Sequence, residues 1–132
     1  NSNKKVITTN QINNFNVFWP ALTKIESNNN VLAVNKKELA YGCAQIRKNY
    51  LIDSNLYGFT TYTKNDCFDP EISKTIVFNY YLKYCPTALQ NGDFETLAKT
   101  HNGGCNWKKK TGQAAKNLEK YWQKVEQELK NE

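Results

Sequence analysis

The fold class this sequence predicts is all-α, about five helices with at most a small irregular β-hairpin, and three observations predict it. Apolar residues recur every three or four positions in several separate stretches. Those stretches are punctuated as helices are: Asp69-Pro70-Glu71 reads as a start, Pro86 as a stop, and Gly103-Gly104 as a break. Finally, 132 residues, of which 39% are apolar and 13% aromatic, suit one domain with a real core and leave no room for a second. No internal repeat is visible.

Residues 1–10 are polar and read as a flexible N-terminal arm, which leaves 11–132 as the domain. Ile12, Phe15, Phe18, Leu22 and Ile25 then follow the spacing of one buried helical face. Pro20 falls inside that pattern and either kinks one long helix or opens a shorter one, where its missing N–H costs nothing. The shorter helix, residues 20–27, is the expectation. Residues 28–39 alternate weakly and suggest a small hairpin or an irregular lobe. Over residues 40–53, Cys43, Ile46, Tyr50 and Leu51 share a face, which predicts a helix. A loop with Gly58 and several threonines follows. Asp69 caps the next helix, carried by Ile72, Ile76, Phe78, Tyr80 and Leu82 to about residue 84. Asp93 caps a short one over 94–100. After Gly112 the last helix spans about 113–130, its apolar stripe formed by Leu118, Tyr121, Trp122, Val125 and Leu129.

The net charge of +6 favours anionic partners. Nucleic acid is not the expected one, because no helix-turn-helix, zinc-finger or RNA-binding signature accompanies the charge, and Lys108-Lys109-Lys110 reads as a solvated loop. An anionic cell wall fits better, and eight tyrosines with three tryptophans suit a groove for an amphipathic ligand such as a sugar. No apolar run is long enough to span a membrane.

Cys43, Cys67, Cys85 and Cys105 are even in number and show neither a CxxC pair nor a Cys/His cluster for zinc, so no metal or cofactor is expected. They read as two disulfides stapling the domain. Cys67 and Cys85 flank a helix that separates them by roughly 20 Å, beyond a disulfide's reach, which excludes that pair. Of the two remaining connectivities, Cys43–Cys67 with Cys85–Cys105 closes the shorter loops. Disulfides imply an oxidising compartment, secreted or periplasmic. The start Asn1-Ser2-Asn3-Lys4-Lys5 is no signal peptide, so the chain reads as a mature form whose leader has been removed.

Glu26 closes an apolar-faced helix and is followed by polar residues and then Gly42. That arrangement sets one carboxylic acid at the rim of a cleft, where a glycosidase needs a proton donor still protonated near neutral pH. Gln45 offers a donor and an acceptor to a bound sugar. His101 is the only histidine, and no serine stands in a nucleophile-elbow context, so hydrolase triads are discounted.

Glu26-Ser27 followed by Gly42-Cys43-Ala44-Gln45-Ile46 resembles the glutamate-serine and glycine-x-x-glutamine-isoleucine pair of the lysozyme and lytic-transglycosylase superfamily. Asp93-Phe94, His101-Asn102-Gly103-Gly104 and Tyr121-Trp122-Gln123-Lys124-Val125 resemble the invertebrate-type (destabilase) lysozymes, as does Gln45-Ile46 leading to Tyr50 and Asp53. Those lysozymes are far richer in cysteine, and their aspartate upstream of the glycine-x-x-glutamine block falls here near Asn35. A soluble-transglycosylase-like or goose-type relative, which relies on one glutamate, therefore competes.

The resemblance implies a lysozyme-like fold and a secreted, antimicrobial, cell-wall-degrading monomer. Its activity would be that of a muramidase or lytic transglycosylase that breaks the β-1,4 bond between the amino sugars of peptidoglycan, with Glu26 as general acid. From their chemistry, Gln45, His101 and Asn102 are expected to line the groove beside Glu26 and Gly103 and Gly104 to let backbone approach the sugar, while Tyr41, Tyr50 and Tyr84 either flank the cleft or, as rings on helices, join the core. A second carboxylate would be Glu38 or Asp53. Asp53 is disfavoured because it lies about 12 Å along a helix from Gln45. Glu26 working largely alone is the expectation. The alternative from another class is a non-catalytic cell-wall or chitin glycan-binding module on the same fold.

Overall fold

The computed structural model describes residues 6–132. Its first helix, α1 (Thr9–Ser27), is started by a reciprocal cap: Thr8 Oγ1 accepts from the Gln11 N–H, and Gln11 Oε1 accepts from the Thr8 N–H. The arm expected over residues 1–10 is thus shorter, because Thr8 is a cap and Thr9 and Asn10 are helical; residues 1–5 lie outside the described residues. Nor does Pro20 open a second helix. The helix runs through it, because Pro20 stands on the exposed face, where the carbonyl it leaves without a donor is open to water. Phe15, Phe18, Ala21 and Leu22 are buried along the same helix.

α1 ends at Asn28, which takes the left-handed conformation (φ 55°) that asparagine tolerates well. The weakly alternating stretch after it forms a hairpin, β1 (Val34–Asn35) against β2 (Ala40–Tyr41), antiparallel with Val34 opposite Tyr41 and Asn35 opposite Ala40.

The helix expected over residues 40–53 begins only at Lys48. Tyr41 and Ile46 exchange backbone hydrogen bonds at 3.0 Å each way, closing residues 42–45 into a loop. Within it Gly42 has φ 81° and Gln45 φ 56°, neither compatible with a right-handed helix. Gly42 is also pressed against the backbone of Cys67: a Cβ there would stand 1.9 Å from the Cys67 carbonyl oxygen.

Beyond this loop come α2 (Lys48–Gly58), a 3-10 turn (Lys64–Phe68), α3 (Pro70–Tyr84), α4 (Pro86–Asn91), α5 (Phe94–Gly103), a second 3-10 turn (Trp107–Lys109) and α6 (Gly112–Lys130). The caps are those the sequence marks. Asp69 Oδ1 accepts from the N–H groups of Glu71 and Ile72, and Asp93 Oδ1 from that of Thr96. Pro86 does more than stop α3, because it occupies the first turn of α4, where a proline has no hydrogen bond to lose.

α1 packs on α4 and α6, α2 on α3, and α5 on α6. The core between them is aromatic. Phe18 meets Tyr81 edge-on at 6.1 Å and Phe94 in a stack at 5.7 Å, while the fully buried Tyr81 donates its hydroxyl to the Leu97 carbonyl at 2.9 Å. Among the described residues no helix is long and apolar enough to cross a membrane.

The expected staples are absent: Cys43, Cys67, Cys85 and Cys105 are all free thiols. Burial pushes the thiol of Cys67 up to about 11 and that of Cys85 up to about 12, and it raises that of Cys43, so these three stay protonated and are poor partners in disulfide exchange. The packed rings and helix caps hold the fold instead.

Candidate active site

Glu26 stands in the last turn of α1, its side chain only 14% exposed. Two anchors fix that end of the helix. Ser27 Oγ donates to the Cys43 carbonyl at 2.8 Å, tying α1 to the 42–45 loop, and the hydroxyl of Tyr121, from α6, donates to Glu26 Oε2 at 2.5 Å. Burial pushes the Glu26 carboxyl up from 4.5 to about 7. The Tyr121 hydrogen bond and Arg47 pull it down, and Glu38 adds to the rise. At neutral pH a large share of Glu26 is therefore a carboxylic acid with a proton to give.

His101, on α5, is buried beside it, with Nε2 3.6 Å from Glu26 Oε2. Nε2 lies 2.8 Å from the Ala44 carbonyl, which can only accept, so this nitrogen carries the hydrogen. Nδ1 then accepts from the Tyr50 hydroxyl at 2.8 Å. Burial lowers the imidazole to about 4, with Arg47 adding to the fall, so His101 is neutral at working pH. It is a fixed N–H beside the acid, and no proton shuttle at neutral pH. Tyr50 acts at one remove: 7% exposed and stacked on Tyr80 at 3.6 Å, it holds the imidazole.

Glu26 opens into a cavity of about 300 Å3 that it lines together with Asn35, Glu38, Gln45, Arg47, His101 and Asn102. Five residues named from the sequence, Glu26, Glu38, Gln45, His101 and Asn102, are thus brought to one place by α1, the hairpin, the 42–45 loop and α5. Gln45 lines it with its amide committed to the fold, Nε2 donating to the Gly42 carbonyl at 3.0 Å. Glu38 comes from the hairpin turn, where Asn35 Nδ2 donates to its Oε2 at 3.0 Å and Arg47 Nη1 lies 3.9 Å from its Oε1. Arg47 also donates through Nη2 to the Asn102 carbonyl at 3.2 Å, bridging the hairpin to α5.

Other expectations change. Asp53 lines an adjoining cavity of about 420 Å3, with Tyr50, Tyr80 and Gly104, and is engaged by the Tyr84 hydroxyl at 2.8 Å and Lys83 at 4.0 Å. The helix expected to carry both Gln45 and Asp53 does not include Gln45, which is in the loop before α2. Asp53 stays apart from Glu26 for a different reason, its position along α2. Gly103 lines neither cavity: a Cβ there would stand 2.9 Å from both Leu118 Cδ2 and Trp107 Cβ, so this glycine lets α5 approach α6. Gly104, next to it, does line the groove. Tyr41 lines a third cavity, which Glu26 does not line, and the Tyr84 hydroxyl donates to Asp53.

Two residues escaped sequence reasoning. Tyr121 lies in the apolar stripe of α6, where its spacing matches that of core neighbours and only its hydroxyl marks it as different. Arg47 sits between the glycine-x-x-glutamine block and α2, in a stretch read as continuous helix. Comparison with protein-family models, with curated proteins and with solved structures finds no match to this chain.

Proposed function

We propose that this protein is a glycosidase that cleaves the β-1,4 bond between amino sugars of peptidoglycan, as a muramidase or a lytic transglycosylase. The observation that carries the reading is Glu26: a carboxyl raised to about 7 by burial, held by the Tyr121 hydroxyl with His101 packed beside it, at the edge of a polar cavity. A general acid for a glycosidic oxygen requires those properties, namely a proton retained near neutrality and a fixed direction. A glycan-binding module on the same fold would need the groove and would have no use for a carboxyl kept protonated.

In this reading a sugar chain lies along the groove and Glu26 protonates the leaving oxygen. Gln45, through its Oε1, and Asn102 bind the sugar, while Tyr121 positions the acid and His101 packs beside it. The nucleophile is a held water or the substrate's own 6-hydroxyl. Glu38 is the one other acidic residue lining the same cavity, and so the one candidate base among the described residues. The wall lies outside the cytoplasm, and with the cysteines free this substrate is what supports secretion; the net charge of +6 suits an anionic wall.

The test is a turbidity assay on purified cell walls with mass spectrometry of the products. Wild type should lyse them, and Glu26→Gln should lower the rate by about 10²- to 10⁴-fold while staying folded. Anhydro-muramic ends would mean transglycosylation, reducing ends hydrolysis. Lysis undiminished in Glu26→Gln would end the proposal.

A further inference from the structure

Cleavage at Glu26 leaves part of the groove unused. A third cavity of about 400 Å3 shares Leu39, Arg47 and Lys48 with the middle one and runs on to Lys64. Its walls are apolar, built from Leu39, Tyr41, Ile46 and Leu51, and three cations line it while no aspartate or glutamate does. Arg47 is partly occupied by Glu38 and the Asn102 carbonyl. The other two are unengaged by acids: among the described residues neither Lys48 nor Lys64 has a carboxylate within salt-bridge distance. Lys64 instead lies over the Tyr41 ring, 5.3 Å from its centroid.

A chain of neutral N-acetylated sugars presents hydroxyls, amides and pyranose faces, and nothing in it calls for three cations around an apolar floor. The chemistry that fits is a short branch carrying carboxylates and small alkyl groups, whose methyls meet Leu39 and Leu51 and whose anions meet Lys48 and Lys64. We infer that this cavity takes the acidic peptide branch that is amide-linked to the lactyl ether of alternate sugars of the glycan, so that the substrate class is a peptide-substituted muramic chain and neither chitin nor a bare glycan strand. The inference rests on the reading of Glu26 as a glycosidase acid, because that reading lays the sugar chain along the groove. Arg47, which lines all three cavities, then stands where the branch leaves the chain.

The experiment has two arms. In the first, N-acetylmuramyl-L-alanyl-D-glutamate and diacetylchitobiose are titrated into the Glu26→Gln protein and followed by backbone amide shifts. The muramyl dipeptide should bind about tenfold or more tightly than the disaccharide, moving the amides of Leu39, Lys48 and Lys64, at two- to fivefold per exposed ion pair plus the apolar contact. The Lys48→Gln/Lys64→Gln double change, at two exposed positions, should remove most of that preference. Equal affinity for the two ligands, or a preference untouched by the double change, overturns the inference.

In the second arm, wild type is given intact cell walls and the same glycan stripped of peptide by an amidase. Intact material should be cleaved about tenfold faster at subsaturating concentration. Equal rates on both overturn the peptide assignment and leave the glycosidase standing. Cleavage of neither, with the dipeptide still bound at Lys48 and Lys64, overturns the glycosidase reading and leaves the peptide pocket standing.

Discussion

Replacing Glu26 with glutamine should stabilise the protein, and by an amount that depends on pH. The unfolded chain releases this carboxyl proton near 4.5, whereas the native state keeps it to about 7. Between those values the native state holds the extra proton, so its stability falls as pH rises through the window, by about 3 kcal/mol in all. His101 has the opposite sign. Its imidazole is lowered from 6.5 to about 4, so in that interval the unfolded chain holds the extra proton and stability rises with pH, again by about 3 kcal/mol. The two contributions oppose each other where they overlap, and the wild-type profile should be nearly level there.

In Glu26→Gln only the histidine contribution remains, so stability should climb from pH 4 to 6.5 and then hold. The gap between variant and wild type should widen by about 3 kcal/mol from pH 4 to pH 8, or about 10 °C in melting temperature for a domain this size. Thermal and urea unfolding of both proteins at unit pH steps would measure it. A gap of the same size at pH 4 and pH 8 would refute the reasoning, since Glu26 would then titrate alike in the folded and unfolded states. A gap that widens would mean that the acid is retained at a cost to stability, as expected of a working group.

Tyr121→Phe removes a hydrogen bond that favours the carboxylate more than the acid, so the alkaline limb of the lysis pH profile should move up from about 7 by about one unit; a limb that stays or falls would show that Tyr121 does not set the acid's strength. Asp53→Asn should leave lysis nearly unchanged, because Asp53 is engaged by Tyr84 and Lys83 in the adjoining cavity, and a loss as deep as that of Glu26→Gln would make it a second catalytic carboxylate. Gly42→Ala should cost more than about 3 kcal/mol in urea unfolding, since its Cβ would stand 1.9 Å from the Cys67 oxygen at a φ of 81°; a near-neutral effect would mean that the 42–45 loop shifts freely.

Where local chemistry decides structure, the chain was legible. Asp69-Pro70 and Asp93 cap helices because their carboxylates meet the first free N–H groups, an interaction complete within four residues. The loop at 42–45 was not legible, because the space that only a glycine fits at 42 is set by the backbone of Cys67, a residue distant in sequence, while Cys43, Ile46 and Tyr50 mimic a helical face. Pro20 misled for a related reason: its cost depends on whether its side of the helix meets water or protein. The gathering of Glu26, Gln45, His101 and Asn102 was anticipated from motif resemblance, whereas Tyr121 was hidden because one helical stripe serves both core and site. The cysteine count misled, since an even number says nothing of whether the fold brings the thiols together in pairs.

The bond between Tyr121 and Glu26 joins residues 95 positions apart, from the first helix to the last described. A chain emerging from the ribosome therefore makes its acid early and the hydroxyl that secures it late. Until α6 docks, Glu26 lacks the hydroxyl that holds its Oε2. On the proposed reading, lytic competence would then report finished folding: a nascent or clipped chain lacking α6 would carry Glu26 without the hydroxyl that fixes its direction.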